Sequence, residues 1–572
     1  MDSVIQSKVN QWLSSNIDEN SKTAIKNMEV AELQDAFYKN LEFGTGGLRG
    51  IMGVGTNRIN TYTIGFATQG FANYINAKVS GTKKVAIAYD SRNNSKLFAT
   101  TVANIFAANG MQVYLFSALR PTPELSFAIR HLGCCAGVVC TASHNPKEYN
   151  GYKAYWNDGA QVMPPHDDGI ITEVNKITDV DAVKWTGNQT NITLIDKEID
   201  DAFITMVKSL SLRPQAIATQ HNLNIVYTSI HGAGITIVPQ TLAAFGFTNV
   251  NIVAEQAVPN GDFPTVIYPN PEEKDAMQLG LNMAKKLNAD ILLGTDPDTD
   301  RVGIAIKNNV GNWVLMNGNQ TGVLLFNYIV ENRKALGLAK PNDFICKTIV
   351  TSPLIDAFAA LNDIECVNTL TGFKYIAEVI QEQEGIKNFV CGGEESFGYM
   401  VGSAVRDKDA VTSVCMICEM AAYAKSNGKT MWDMLMEIYL KYGFYKEELV
   451  SITKKGMNGA AEIAAMMKQY RNNPPTTIIG QRVVIINDYE LQTSNNLLTN
   501  VVTKIDFKHK SNVLIFFTEG GDMIAARPSG TEPKIKFYFS VKETLTSVDD
   551  YDTVNQTLSE KVKRIIADMQ LG

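Results

Sequence analysis

Val85-Ala-Ile-Ala-Tyr-Asp90, Gln112-Val-Tyr-Leu-Phe116 and Ala136-Gly-Val-Val-Cys-Thr141 are short, almost unbroken apolar runs. The stretches between them, 96–108 and 124–132, carry apolar residues at helical spacing. Strand, helix, strand, helix, strand is the order of a parallel sheet with crossover helices. A continuous apolar run fits a strand covered on both faces.

The same rhythm recurs along the chain. Runs at 224–229, 250–254 and 290–293 read as strands separated by helices, as do 345–350, 365–368 and 388–391. Three α/β units of similar plan follow, without a sequence repeat that would make them copies. The end of the chain differs: 513–517, 523–527 and 534–539 read as strands joined by short turns, before a helix over 554–569. That is an α+β domain. Residues 1–41 read as helical, and a Gly-rich turn, Gly44-Thr-Gly-Gly-Leu-Arg-Gly50, comes next. The polar stretches 187–199 and 472–475 are candidate linkers.

At roughly 150 residues per domain, 572 residues suggest about four domains. Apolar residues make up 45% of the chain, enough for each domain to bury a core. Net charge is −7, from 52 Lys and Arg against 59 Asp and Glu. No basic stripe marks a nucleic-acid surface. The most apolar stretch, 411–424, is interrupted by Glu419 and is too short to span a bilayer. No basic segment followed by an apolar one opens the chain, so no signal peptide is expected. Several of the eight cysteines lie in apolar runs, as thiols do in a reducing cytoplasm. Cys415 and Cys418 lack a second pair to complete a zinc site.

Four loops carry chemistry. Thr141-Ala-Ser-His-Asn-Pro146 follows a buried-type strand, where open α/β sheets gather ligands. It lacks the Gly-x-Ser-x-Gly elbow of esterases. Its residues alone allow a serine nucleophile or an ordinary turn. Gly294-Thr-Asp-Pro-Asp-Thr-Asp-Arg301 also follows an apolar strand. Asp296, Asp298 and Asp300 alternate, so on an extended loop their carboxylates point one way and repel unless a cation joins them. Hard oxygen ligands favour Mg²⁺ or Ca²⁺. An EF-hand is excluded, because its sixth position would be Arg301 and its twelfth Lys307. Cys391-Gly-Gly-Glu-Glu-Ser-Phe-Gly-Tyr399 offers carboxylates and a hydroxyl beside glycines, which suits a polyhydroxylated ligand or a plain loop. Arg527-Pro-Ser-Gly-Thr-Glu-Pro533 offers a guanidinium fork, two hydroxyls and backbone N–H groups, a phosphate cradle or a hairpin turn. Gly428-Lys429-Thr430 imitates the end of a P-loop, but Tyr423 stands where its first glycine belongs.

In this order, the four loops resemble those of the α-D-phosphohexomutase family, across essentially the whole chain. The resemblance implies four domains around a central cleft: three α/β domains with mixed, largely parallel sheets and a C-terminal α+β domain. The expected limits are 1–200, 201–317, 318–450 and 451–572. It further implies that Ser143 carries the phosphoryl group and that Asp296, Asp298 and Asp300 bind Mg²⁺ together with an oxygen on Ser143. Glu394 and Ser396 resemble the residues that grip sugar hydroxyls, and Lys408 a basic ligand contact. Arg527, Ser529, Gly530 and Thr531 resemble the site for the phosphate that is not transferred. Lys153 resembles a general acid/base, and His144, Arg301 and Arg49 line or approach the reaction centre. To accept a proton near neutrality Lys153 needs a lowered pKa, which nearby cations could supply.

The implied reaction interconverts glucose 1-phosphate and glucose 6-phosphate through a phosphoserine and glucose 1,6-bisphosphate. Glu394-Glu-Ser-Phe-Gly398 resembles the loop of glucose-selective members. His231-Gly-Ala-Gly234 and Thr371-Gly-Phe-Lys374 resemble a branch containing phosphopentomutases. Pentose or mannose phosphates are therefore the alternative substrates, and a sugar phosphatase or non-catalytic sugar-phosphate binder the alternative classes. Implied partners are a small sugar phosphate, with neither nucleic acid nor membrane, in a cytoplasmic monomer or homodimer.

Overall fold

The structure, a computed structural model, describes residues 2–44, 46–454, 459–529 and 534–571. Its architecture is four-domain α/β. The chain divides into two compact units, one of residues 1–321 with 373–430, the other of 322–372 with 431–572.

The first unit opens with three helices, Ser3–Ser14, Glu19–Asn27 and Val30–Phe37, where the sequence suggested one helical region. The breaks are chemical. Asp18 caps the second helix by accepting from the Ser21 N–H, and the extended backbone at Met28 and Glu29 separates the second from the third. Ile5, Val9, Trp12, Ile25 and Phe37 form a small core of their own.

The first sheet contains β1 (Gly47–Ile51), β2 (Lys84–Tyr89), β3 (Gln112–Phe116), β4 (Ala136–Cys140), β5 (Tyr149–Trp156) and β6 (Ile192–Ile195), ordered β1-β5-β4-β2-β3-β6. β4, β2, β3 and β6 run parallel, while β5 and β1 join antiparallel. Part of the expected Gly-rich turn is thus strand β1. The polar stretch 187–199 is no linker either, because β6 lies within it as an edge strand. Thr193 and Leu194 are exposed there, which hid the strand in the sequence. The helices Thr61–Lys78 and Ser95–Ala108 pack on this sheet, the former begun by a capping box at Asn60.

The second sheet holds β7 (Ile225–Thr228), β8 (Val250–Ile252), β9 (Ile291–Thr295), β10 (Val302–Lys307) and β11 (Trp313–Leu315), ordered β11-β10-β9-β7-β8. β9, β7 and β8 are parallel, and β10 and β11 turn back antiparallel. Both sheets therefore present the carboxyl ends of buried parallel strands, at Cys140 and at Thr295.

Further along the chain, β12 (Asp343–Thr348) and β13 (Glu365–Thr369) pair in parallel within the second unit. Within the first unit, β14 (Asn388–Gly393) pairs antiparallel with β15 (Tyr399–Val401). The second unit also contains the C-terminal sheet: β16 (Phe444–Thr453), β17 (Thr477–Ile478), β18 (Gln481–Asp488), β19 (Thr493–Asn496), β20 (Val501–Lys504), β21 (Leu514–Thr518), β22 (Met523–Pro528) and β23 (Lys534–Glu543). Its pairings are antiparallel, and the helix Tyr551–Asp568 packs on it through Leu558, Val562 and Ile565. β16 pairs with β23 from Phe444 onward, so this strand lies across the position 450/451.

Candidate active site

Ser143 sits just past β4 with φ +51, a left-handed conformation uncommon for serine. Its neighbours account for the shape. The Ser143 N–H donates to Thr141 Oγ1 at 2.8 Å, and Thr141 Oγ1 donates to Asp90 Oδ2 at 2.6 Å. Arg92, fully buried by side chain, threads the loop. It donates to the carbonyls of Ser143 (2.5 Å), Pro146 (2.8 Å) and Tyr149 (3.0 Å), and also to that of Asn145. Asp90 and Arg92 lie at the end of β2, beside β4, so two adjacent strand ends build one rigid loop.

The loop after β9 meets this serine. Ser143 Oγ donates to Asp296 Oδ2 at 2.8 Å. Asp296 Oδ1 accepts the N–H groups of Asp300 (3.1 Å) and Arg301 (3.0 Å), which curls the loop around its first carboxylate. Asp298 Oδ2 accepts from Lys153 Nζ at 2.8 Å and Thr122 Oγ1 at 2.9 Å. Asp300 Oδ2 lies 3.1 Å from both Lys153 Nζ and Lys408 Nζ. Each aspartate thus has one oxygen committed to the protein. Among the described residues, the other oxygens of two of them, Asp298 Oδ1 and Asp300 Oδ1, are buried without a hydrogen-bond partner, and Asp296 Oδ2 accepts the serine hydroxyl. The three carboxylates offer ligand atoms within 4.8 Å of one another.

Burial and the charges of Asp298 and Asp300 push the Asp296 carboxyl well above the usual range. Burial also opposes the charge on Asp300, but Lys153, Lys408 and Arg301 outweigh it and hold that carboxyl low. Buried carboxylate oxygens without donors are costly. A hard divalent cation is the group that would satisfy all three at once.

Lys153 lies on β5, opposite Gly47 of β1 and Val139 of β4. Its charge state differs from the sequence expectation. Burial disfavours the ammonium, yet Asp298 and Asp300 outweigh both burial and the repulsion of Lys408, and its pKa is raised. Lys408 is gripped by Asp407, whose Oδ1 accepts the Lys408 N–H at 2.8 Å and Nζ at 3.1 Å. Asp407 Oδ2 accepts from Tyr155 Oη at 2.7 Å and Gln161 Nε2 at 3.0 Å, tying this lysine to the first sheet. The lysine stem needs Gly398, because a Cβ there would fall 2.1 Å from Lys408 Cδ.

The remaining expected residues divide. His144 Nδ1 lies 3.2 Å from Ser143 Oγ, and burial with Arg301 and Arg49 nearby keeps its imidazole well below the ordinary range. It is neutral near pH 7. Arg49 is exposed on β1 and donates to Asn145 Oδ1 at 3.3 Å. Glu394 is buried at the turn after β14, where its N–H donates to the Gly398 carbonyl at 2.9 Å; Ser396 is half-buried on that turn. The Phe397 carbonyl accepts the Val302 N–H at 3.0 Å, which anchors the turn to β10. Arg527 and Ser529 belong to the second unit. There Arg527 Nη1 donates to Tyr538 Oη at 3.4 Å, and the Ser529 N–H to the Lys534 carbonyl at 2.7 Å. Gly530 and Thr531 lie outside the described residues.

Sequence reading missed Asp90, Arg92, Thr122 and Asp407. Asp90-Ser-Arg92 carried a usable signal, since charged residues close a buried strand. Thr122 carried none, because its partner is distant in the chain.

A serine at one strand end, facing a cation-ready carboxylate cluster at another that two lysines contact, is a phosphoryl-transfer arrangement. Residues 40–181, 201–311 and 317–442 match the phosphoglucomutase/phosphomannomutase α/β/α domains I, II and III. A phosphoglucomutase of Staphylococcus epidermidis is 36% identical over 97% of this chain and 99% of its own length. One from Staphylococcus aureus is 36% identical over 96% of this chain and 98% of its own. Among solved structures, parafusin, a phosphoglucomutase from Paramecium, has the same fold, with TM-score 0.66 at 18% identity over 92% of this chain and 96% of its own. So does a phosphoglucomutase/phosphomannomutase family protein from Burkholderia thailandensis, with TM-score 0.65 at 16% identity over 93% and 98%. The chain belongs to the α-D-phosphohexomutase (phosphoglucomutase/phosphomannomutase) family and is an isomerase that works by phosphoryl transfer.

Proposed function

We propose that the enzyme interconverts glucose 1-phosphate and glucose 6-phosphate through a phosphorylated Ser143 and glucose 1,6-bisphosphate. The contact between Ser143 Oγ and Asp296 Oδ2 carries this reading, since it puts the nucleophile on a cation-ready carboxylate. The glucose assignment follows the full-length likeness to staphylococcal phosphoglucomutases.

In the forward half-reaction a sugar hydroxyl oxygen attacks the phosphorus on Ser143. An O–P bond forms to the sugar as the Oγ–P bond breaks. Lys153, favoured as the ammonium, returns a proton to Oγ and takes one from the attacking hydroxyl. The bisphosphate turns end for end, and the reverse transfer regenerates phosphoserine. Asp296, Asp298 and Asp300, with a Ser143 phosphate oxygen, would hold Mg²⁺. When bound, this ion supplies charge neutralisation for the transferring group. Arg301 and Lys408 add positive charge at the same centre. Glu394 and Ser396 grip sugar hydroxyls, and neutral His144 and Arg49 line the serine loop. Arg527, Ser529, Gly530 and Thr531 hold the phosphate that is not moving.

Domain limits of 1–200, 201–317, 318–450 and 451–572 accompany this reading. A cytoplasmic monomer or homodimer fits a chain in which no described cysteine is joined in a disulfide. Among the described residues no helix is long and apolar enough to cross a membrane.

A substrate panel decides the reaction. The kcat/KM values for glucose, ribose, deoxyribose and mannose 1-phosphates, each with its bisphosphate primer and Mg²⁺, should rank glucose first. A pentose preference above about tenfold, some ~1.4 kcal/mol of transition-state binding, overturns the substrate. Release of inorganic phosphate as fast as isomer makes the enzyme a phosphatase. Intact mass should rise by one phosphate after incubation with glucose 1,6-bisphosphate, and full activity in Ser143→Ala would sink the mechanism.

A further inference from the structure

We infer that Thr122 is the positioning residue that turns Asp298 toward the bound cation. The inference rests on the metal-site reading above and adds to it a residue outside the ligand set.

Thr122 is fully buried and begins the helix Thr122–His131, between Pro121 and Pro123. It grips Asp298 twice. Its N–H donates to the Asp298 carbonyl at 2.9 Å, and its Oγ1 donates to Asp298 Oδ2 at 2.9 Å. The second bond selects an oxygen. With Oδ2 committed, Oδ1, which has no hydrogen-bond partner among the described residues, is the atom left for a cation.

A carboxylate's terminal torsion is broad, so one oxygen is not fixed by the aspartate itself. Lys153 also donates to Oδ2, but its flexible stem divides one ammonium between Asp298 and Asp300. The short, β-branched threonine is the stiffer donor. Its own position is braced. The Arg120 N–H donates to the Tyr89 carbonyl at 3.1 Å, and the Arg120 guanidinium binds Asp200 through both oxygens at 2.8 and 2.9 Å. Thus the segment leaving β3 sets the rotamer of a ligand on the loop leaving β9. Groups that orient ligands from outside typically matter ~10–100-fold in metal affinity.

The test is metal binding by the full-length, EDTA-stripped enzyme, with Mn²⁺ titrated by electron paramagnetic resonance and Mg²⁺ by calorimetry. Thr122→Val removes the hydroxyl at nearly constant shape, and Thr122→Ala is carried beside it in case one fails to fold. Thr122→Ser restores the donor. The folded Val or Ala variant should bind Mn²⁺ ~10-fold or more weakly. Thr122→Ser should stay within about twofold of the wild type, and saturating metal should return most of kcat to the Val or Ala variant. Wild-type affinity in Val or Ala overturns the inference, as does a Ser variant as weak as Val. A wild type that binds neither ion removes the metal reading itself, and the role of Thr122 with it.

Discussion

The Arg92 guanidinium donates to the Ser143 carbonyl at 2.5 Å, with its remaining hydrogen bonds spent on three more carbonyls of the same loop. A buried cation therefore serves as the internal frame of a nucleophile loop, with Asp90 as its counter-ion. Arg92→Lys keeps the charge but replaces a planar fork with a point donor. A displacement of about 1 Å at a reacting atom can cost roughly 100-fold in rate. We expect kcat to fall ~100-fold and Ser143 phosphorylation by glucose 1,6-bisphosphate, followed by intact mass, to slow in parallel. Wild-type turnover would mean that the loop holds its shape unaided.

Gly47 gives a second prediction. It pairs with Lys153 across β1 and β5 at φ +137, and a Cβ there would lie 1.7 Å from the Tyr152 carbonyl oxygen. Gly47→Ala must push β1 away from β5 at the lysine that reaches Asp298 and Asp300. A stability loss of ~1–3 kcal/mol is expected in denaturant melts, with a larger proportional loss of kcat. An active, unshifted variant would show that β1 does not constrain Lys153.

The phosphate-binding role proposed for Arg527 predicts that Arg527→Ala separates phosphate binding from chemistry. Loss of a charge-assisted hydrogen bond worth ~1.5–3 kcal/mol should raise KM for sugar phosphates ~10–100-fold. Phosphorylation of Ser143 by a small phosphodonor should persist. An unchanged KM would assign the second phosphate to other residues.

Glu447 should make stability pH-dependent. Burial pushes its carboxyl from 4.5 up to about 7, although Ser352 and Ser540 donate to it. The folded state then holds a proton that the unfolded chain releases. The associated stability is full below about pH 4.5 and is lost as pH rises through about 7, ~3 kcal/mol at most. Glu447→Gln lacks this loss, so its thermal midpoint relative to the wild type should be higher at pH 8 than at pH 5. Parallel midpoints across that range would refute the assignment.

Strands buried on both faces were legible because nothing interrupts their apolar runs: β2, β4 and β9 fall where the sequence places them. β6 was not, because an edge strand with exposed Thr193 and Leu194 looks like a polar connection. The same contrast governs the site. Asp296, Asp298 and Asp300 announce themselves by alternation after a buried strand, and Ser143 by its place at a strand end. Thr122 and Asp407 act through partners far along the chain, at Asp298 and Tyr155, and no local pattern encodes such a pairing. The raised pKa of Lys153 was misjudged for a related reason. Its cationic neighbours were visible in the family resemblance, whereas the two carboxylates at its ammonium emerge only once β5 and the β9 loop are assembled.

The first unit is written in two pieces, residues 1–321 and 373–430. A ribosome therefore delivers Ser143, Lys153 and the three aspartates well before Lys408 and Asp407. At ~5–20 residues per second, the nascent chain spends roughly ten seconds with the Asp300 carboxylate lacking one of its two lysines. During that interval Tyr155 and Gln161 also wait for the carboxylate that will join them. Assembly of this centre is thus a late event in biosynthesis, and a translational pause beyond residue 321 would prolong the life of an intermediate that lacks Lys408 and Asp407.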